Sequence, residues 1–433
     1  MSMTRRTFAR ALSAAAGTFA LAPRTALAEA ETPRAVPDPE SCAVPPSIAA
    51  LRPATAGVAP IGDDERRGRL DKARRLMAEQ GLAAIVLEPG SSMLYFTGAK
   101  WGLSERPFLA VIPAAGELAY VAPAFEEGRA REIIRLSDDV HVWQEDESPY
   151  ERVAEILRTR GAATGRIGLE ERVRFFVADG LRRALGAATF VSADAVTAGC
   201  RMFKSPAELA LLQRANDITI MAYRATFPTL TEGLTQVEMA KRIAAAYDRL
   251  GAPGYALVLF GKYSASPHGS IQPQRLREGD VVLIDGGCKV DGYESDITRT
   301  IVFGRPTQRQ RDVWSLERHA QDAAFAAATV GAPCETVDAA ARKVLTDAGF
   351  GPDYRLPGLP HRTGHGIGLD GHEWTYFVRG NRTPIQPGMC FSDEPTIAIP
   401  GEFGVRLEDC LYITDQGPRF FTPQSPSIEQ PFG

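Results

Sequence analysis

Val281-Val-Leu-Ile-Asp285-Gly-Gly-Cys-Lys-Val-Asp-Gly-Tyr-Glu-Ser-Asp296-Ile-Thr-Arg-Thr300 is the stretch from which the rest of the chain is read. An apolar run of strand type leads into one carboxylate, and a second carboxylate follows eleven residues later, just before another strand. A hairpin would bring the two face to face. Burying an unpaired charge is expensive, and facing carboxylates repel unless a cation lies between them. Taken alone the pair reads equally well as turn and cap chemistry, because Asp and Gly are the ordinary punctuation of hairpins.

Two further elements extend the pattern. In His361-Arg-Thr-Gly-His365-Gly-Ile-Gly-Leu-Asp-Gly-His372-Glu373, three of the six histidines of the chain fall within a glycine-rich turn. Glycines beside His365 let the backbone approach closely and project the imidazole. Met389-Cys-Phe-Ser-Asp-Glu394-Pro and Gly404-Val-Arg406-Leu-Glu408-Asp set two more carboxylates in strand-like runs, either side of a turn at Pro400-Gly401. Arg406 pairing with Glu408 or Asp409 is the plainer account of the last of these. Taken together, Asp285, Asp296, His365, Glu394 and Glu408 form a nitrogen and oxygen ligand set suited to Mn, Co, Zn or Fe rather than to a thiolate zinc site. Four carboxylates balance two divalent cations, the arrangement of two-metal hydrolases.

Outward from these motifs, the 433-residue chain is too long for one typical core, so two domains or one large one are expected. A net charge of −4 gives no electrostatic reason for a nucleic acid or anionic membrane partner. No apolar run approaches the roughly 20 residues of a membrane span, which predicts a soluble protein. Arg5-Arg6, a mildly apolar stretch and Ala26-Leu27-Ala28 predict a twin-arginine signal peptide over 1–28, hence export to the periplasm. Residues 29–62 are proline-rich and read as a linker. Strand and helix patterns mixed over 63–204 predict a small α/β domain, and helices ahead of a mostly β half over 205–433 predict an α+β domain. Ser205-Pro-Ala-Glu208 marks its start as a capping box with Pro at the first helical position. Cys288, Cys390 and Cys410 read as small buried hydrophobes, while the pairing of Cys42, Cys200 and Cys334 stays open.

Asp-x-Gly with its second Asp eleven on, Gly-His-Gly-Ile-Gly, Glu-Pro and Arg-x-Glu-Asp occur here in the order found in the pita-bread metallopeptidases, and the chain resembles that family over about 63–432. The resemblance implies a pita-bread catalytic domain behind a creatinase/prolidase-type N-terminal domain. It further implies that Asp285 chelates one metal, that Asp296 and Glu408 bridge both, and that His365 binds the other with Glu394. A hydroxide between the metals would attack, Glu394 would act as general base, and His372 would stabilise the tetrahedral intermediate. His268 would contact substrate, His361 would form pocket wall, and Arg379 or Arg406 would grip a substrate carboxylate. Manganese is the first expectation for the metal, with cobalt, zinc or iron as alternatives.

The extra domain resembles the proline-specific branch, which implies an Xaa-Pro dipeptidase. Alternatives are an Xaa-Pro aminopeptidase on longer peptides, or a hydrolase of another small amino-acid derivative. A homodimer or higher homo-oligomer is implied as well. Asp393 and Thr396 depart from the family pattern around Glu394-Pro395 and are expected to reshape the pocket.

Overall fold

The structure, a computed structural model, describes residues 44–432. The signal peptide expected at 1–28, Cys42 and the first part of the expected linker lie outside the described residues. The remainder of that linker, 44–62, is not a loose arm. Helix α1 (Pro46–Ala49) begins it, and Ile48 and Ile61 are buried. Ser47 Oγ donates to Ala225 O at 2.7 Å, and Ala54 N to Leu250 O at 2.9 Å. Proline content sets an extended backbone, but the two isoleucines gain by leaving water, and they dock the segment.

After α2 (Asp63–Gln80), six short strands make one sheet in the order β4-β3-β2-β1-β5-β6. They are β1 (Ala84–Leu87), β2 (Leu109–Pro113), β3 (Ala119–Pro123), β4 (Val140–Trp143), β5 (Arg166–Leu169) and β6 (Thr189–Ser192). Between and after them come α3 (Ser91–Thr97), α4 (Glu127–Ile133), α5 (Pro149–Thr159), α6 (Phe175–Ala184) and α7 (Asp194–Arg201). Every residue of β1, β2 and β3 is buried because both faces are covered. Ile85 and Leu87 share a core with Met77 of α2, while Ala84 and Val86 share another with Val153 of α5 and Leu181 of α6. The apolar segment 93–96 forms part of α3, since a run that short does not separate helix from buried strand.

The second module opens with α8 (Pro206–Thr226), on which the expected Ser205/Glu208 capping box forms, and α9 (Gln236–Leu250), which carries its own at Thr235/Glu238. Next come β7 (Gly254–Phe260), β8 (Val281–Val290), β9 (Tyr293–Glu294) and β10 (Ile297–Val302), with β8 between β7 and β10. The expected hairpin is therefore present, although β8 continues past Asp285 rather than ending there. Gly287 is needed at that point, because a Cβ would sit 1.7 Å from Ser295 O of the return arm.

Two helices, α10 (Gln308–Ala327) and α11 (Glu335–Asp347), interrupt the half expected to be mostly β. Their buried faces carry Gln310, Glu317, Gln321 and Asp338, which break the apolar stripe that would have announced them. The Thr307/Gln310 capping box was nonetheless a visible start signal.

The remaining strands are β11 (Gly364–Gly366), β12 (Glu373–Phe377), β13 (Cys390–Asp393), β14 (Thr396–Ile399), β15 (Phe403–Arg406), β16 (Asp409–Thr414) and β17 (Gly417–Phe420). Five of them form a sheet ordered β12-β11-β13-β16-β17, and β14 pairs with β15. A bridge between Thr298 and Glu408 joins this region to the β7-β8-β10 sheet. Within the described residues no helix is long and apolar enough to cross a membrane. Cys200, Cys288, Cys334, Cys390 and Cys410 are free and buried.

Candidate metal centre

Strand register assembles the centre. Asp285 lies opposite Thr298, and Thr298 bridges to Glu408, so two carboxylates flank one threonine of β10. Asp296 stands immediately before β10. Glu394 stands between β13 and β14, and Glu408 between β15 and β16. The pairings β13–β16 and β14–β15 therefore bring the two glutamates to matching positions. His365 occupies β11, where a Cβ on Gly364 would lie 2.1 Å from Ser392 O. Only glycine lets β11 press this closely on β13.

The ligand atoms form three overlapping groups, each within 4.8 Å: Asp285, Asp296 and Glu408; His365, Glu394 and Glu408; and Asp296, His365 and His372. His365 Nε2 is 3.1 Å from Glu394 Oε1 and 3.9 Å from Asp296 Oδ2. Its Nδ1 lies 3.1 Å from Gly366 O, so Nδ1–H donates to that carbonyl and Nε2, on the side of the carboxylates, is the ring nitrogen placed to bind a cation. Thr298 Oγ1 donates to Glu408 Oε2 at 2.6 Å. Burial, compounded by neighbouring carboxylates, pushes Asp296 and Glu408 well above the ordinary carboxylate range. Burial also opposes ionisation of Glu394, but the positive charge and the Nε2–H donor of a protonated His365 outweigh it and hold that group low when no cation is bound. Buried carboxylates that raise one another, beside an imidazole nitrogen placed to bind a cation, are the donor set two divalent cations require. The residues fit a dinuclear site.

These groups line a cavity of about 610 Å³, together with His268, His361, His372 and Arg406. Both ring nitrogens of His361 are engaged, Nδ1 with Arg362 O at 2.7 Å and Nε2 with Thr396 Oγ1 at 3.1 Å, so it serves as wall. Thr396 thus shapes the pocket from behind. Asp393, by contrast, is fully buried and does not line the cavity, contrary to the expectation for it.

Arg379 does not belong to the site either. It is exposed, pairs with Asp353 and lies over the Tyr354 ring. It follows the end of β12, and the chain there has already turned away from the cavity. Arg406 lines the cavity but is not a free cation: its guanidinium holds Asp285, Thr298 Oγ1 at 3.0 Å and Pro267 O at 3.3 Å.

Residues missed from sequence are Arg362, Tyr255 and Leu257. Arg362 lies over the Tyr376 ring at 4.1 Å, and its Nη2 reaches His372 Nδ1 at 3.0 Å. An arginine only donates, so His372 Nδ1 accepts and Nε2 carries the proton. Partial desolvation against the cavity, with His365 and Arg362 close by, holds the His372 imidazole down at about 4 although the residue is exposed, so it is neutral at pH 7. Tyr255 and Leu257 alternate along β7, with Leu257 opposite Asp285. That alternation was the available signal.

Comparison with known proteins agrees with this architecture. The Creatinase/Prolidase N-terminal domain model matches residues 69–203, and the metallopeptidase family M24 model matches 210–415. An uncharacterized peptidase of Schizosaccharomyces pombe is 37% identical over 395 residues, 86% of this chain and 85% of its own. The chain belongs to metallopeptidase family M24. Among other relatives, an Xaa-Pro dipeptidase of Lactobacillus delbrueckii subsp. lactis is 31% identical, covering 83% of this chain and 98% of its own. The crystal structure of dipeptidase PepE from Mycobacterium ulcerans superposes with a TM-score of 0.80 at 32% identity, over 87% of this chain and all of that one.

Proposed function

We propose that this M24 metallopeptidase hydrolyses the Xaa-Pro bond of dipeptides. The observation that supports it is the composition of one cavity, which is lined by the five proposed ligands, by Tyr255 and Leu257, and by Arg362. An Xaa-Pro bond is a tertiary amide without an N–H, so apolar contact with the proline ring, for which Tyr255 and Leu257 are available, does the selecting in place of backbone hydrogen bonding. A free C-terminal carboxylate needs a planar cation, and Arg362 takes the role first expected of Arg379 or Arg406. The names of the Lactobacillus and Mycobacterium relatives support a dipeptidase.

Two divalent cations held by Asp285, Asp296, His365, Glu394 and Glu408 would polarise the scissile carbonyl and acidify the attacking water. Glu394 accepts the water proton on its carboxylate. His372 donates from Nε2 to the oxygen that gains charge, and its neutrality suits a donor that needs no deprotonation. His268 contacts the substrate from the cavity wall. Manganese is our first choice of metal, and a homodimer our choice of assembly. Arg5-Arg6 with Ala26-Leu27-Ala28 supports export through the twin-arginine route. Replacing both arginines by lysine is expected to leave the protein in the cytoplasm of a cell carrying that pathway.

The substrate is tested by turnover of an Xaa-Pro dipeptide against an Xaa-Pro tripeptide and a dipeptide lacking proline, with Mn, Co or Zn added. Preference for the dipeptide is expected; faster tripeptide cleavage would convert the proposal to an aminopeptidase. The control Glu394→Gln is expected to lower kcat by about 10²–10⁴-fold while unfolding stays cooperative. Near-normal turnover in that variant would remove Glu394 as base.

A further inference from the structure

The turn that delivers His372 runs from β11 to β12, and its geometry is set by one carboxylate. Glu373 accepts hydrogen bonds from Leu369 N at 2.9 Å and Asp370 N at 3.1 Å, which folds 368–373 around it. Lys204 Nζ donates to its other oxygen at 3.1 Å, and Arg201 Nη2 to the first. The same Arg201 nitrogen donates to Asp370 Oδ2 at 2.6 Å. Asp370 is held also by Ser91 Oγ at 2.6 Å and Arg172 Nη1 at 2.8 Å, and Trp374 Nε1 donates to Glu171 at 3.0 Å. Every one of these side-chain anchors lies before residue 205, and Arg201 is the last residue of α7.

The arrangement exceeds an ordinary ion pair between modules. The Glu373 side chain is 5% exposed and that of Lys204 1%, so the charges have given up most of their hydration. Charges so desolvated gain little net stability over an apolar contact, and what they add is fixed geometry. His372 also contacts Arg362 Nδ1-to-Nη2 on one side and lies tilted against His365 with ring centroids 3.9 Å apart. Neither contact sets its backbone. The turn does.

We propose that Arg201, acting through Glu373, is a positioning residue for His372, so that the N-terminal module fixes the oxyanion donor over the ligand cluster. This rests on the hydrolytic reading of the cavity. A misplacement of about 1 Å at such a donor costs up to ~100-fold in rate. In the full-length, metal-loaded protein, Arg201→Met is expected to lower kcat by about 10- to 100-fold on an Xaa-Pro dipeptide, with KM changed by less than about threefold. Arg201→Lys, which still donates to Glu373, is expected to recover most of the loss.

In a His372→Ala background, the same Arg201→Met is expected to change kcat by less than about twofold, because coupled groups are not additive. An equal factor in both backgrounds, or a kcat unaffected in either, overturns the proposal. Hydrogen exchange without substrate supplies an independent reading. Arg201→Met is expected to expose the Leu369 and Asp370 amides while β8 and β13 stay protected, and unchanged protection of those two amides also overturns it. Should Arg201→Met not fold, Glu373→Gln keeps an acceptor for both amides but weakens the grip of Arg201, and a smaller loss with the same non-additivity is expected. Failure of wild type on every Xaa-Pro substrate would sink the substrate reading alone, since exchange still decides the latch.

Discussion

At the residue scale, the cavity separates arginines that look alike in sequence. Arg406 is buried among the ligands and neutralises Asp285, Arg362 faces the cavity, and Arg379 pairs with Asp353 in solvent. A charge-assisted hydrogen bond contributes about 1.5–3 kcal/mol, so Arg362→Met is expected to raise KM for an Xaa-Pro dipeptide by about 10- to 100-fold. Since Arg362 also touches His372, kcat falls too. The carboxylate component is read from the ratio of dipeptide to its C-terminal amide, which is expected to collapse in the variant. Arg379→Ala is expected to stay within about twofold of wild type, as an exposed ion pair contributes little. A preserved ratio in Arg362→Met, or a large loss in Arg379→Ala, would return the carboxylate to the latter. Nothing in the spacing distinguished these residues, because which way the chain turns after β12 is a property of the sheet and not of the local sequence.

At the element scale, the turn between β11 and β12 has a pH signature of its own. Burial disfavours the Glu373 carboxylate, but Arg201 and Lys204 prevail and hold it at about 2, below its ordinary 4.5. A carboxyl depressed on folding stabilises the protein above its unfolded value, and the benefit disappears as pH falls from 4.5 through 2. The difference of about 2.5 pKa units is worth roughly 3 kcal/mol. Thermal melts across that window are expected to fall more steeply for wild type than for Glu373→Gln, and parallel curves would show that the group is not so held. The same scale explains which elements were readable. The capping box announced α8, and short apolar runs placed β1 to β4. Helices α10 and α11 were passed over because Glu317, Gln321 and Asp338 interrupt their buried faces. Those polar groups pack behind the metal-binding strands, a partner that no local window contains.

At the scale of the whole molecule, a bridge between two sheets of the second module brings residues 285 to 408 into one cluster. Four carboxylates held together without cations repel, so chelation is expected to lower the melting temperature by about 5–10 °C, with turnover and stability both returning on adding Mn. A melting temperature indifferent to chelator would show that the cluster is not a metal centre. Residue types were enough for the ligand chemistry, the capping signals and the two-domain architecture, because these depend on which side chains can bind a cation, end a helix or fill a strand. They also pointed to Asp285, Asp296, His365, Glu394 and Glu408 as a set, since carboxylates inside apolar strands demand a partner wherever they fold. Tertiary structure alone decided that 44–62 is docked, that Arg362 and not Arg379 faces the cavity, that Asp393 lies behind it, and that Arg201 reaches Glu373. Each of these turns on which surfaces meet across long sequence separations. Packing and desolvation settle that, and residue type does not.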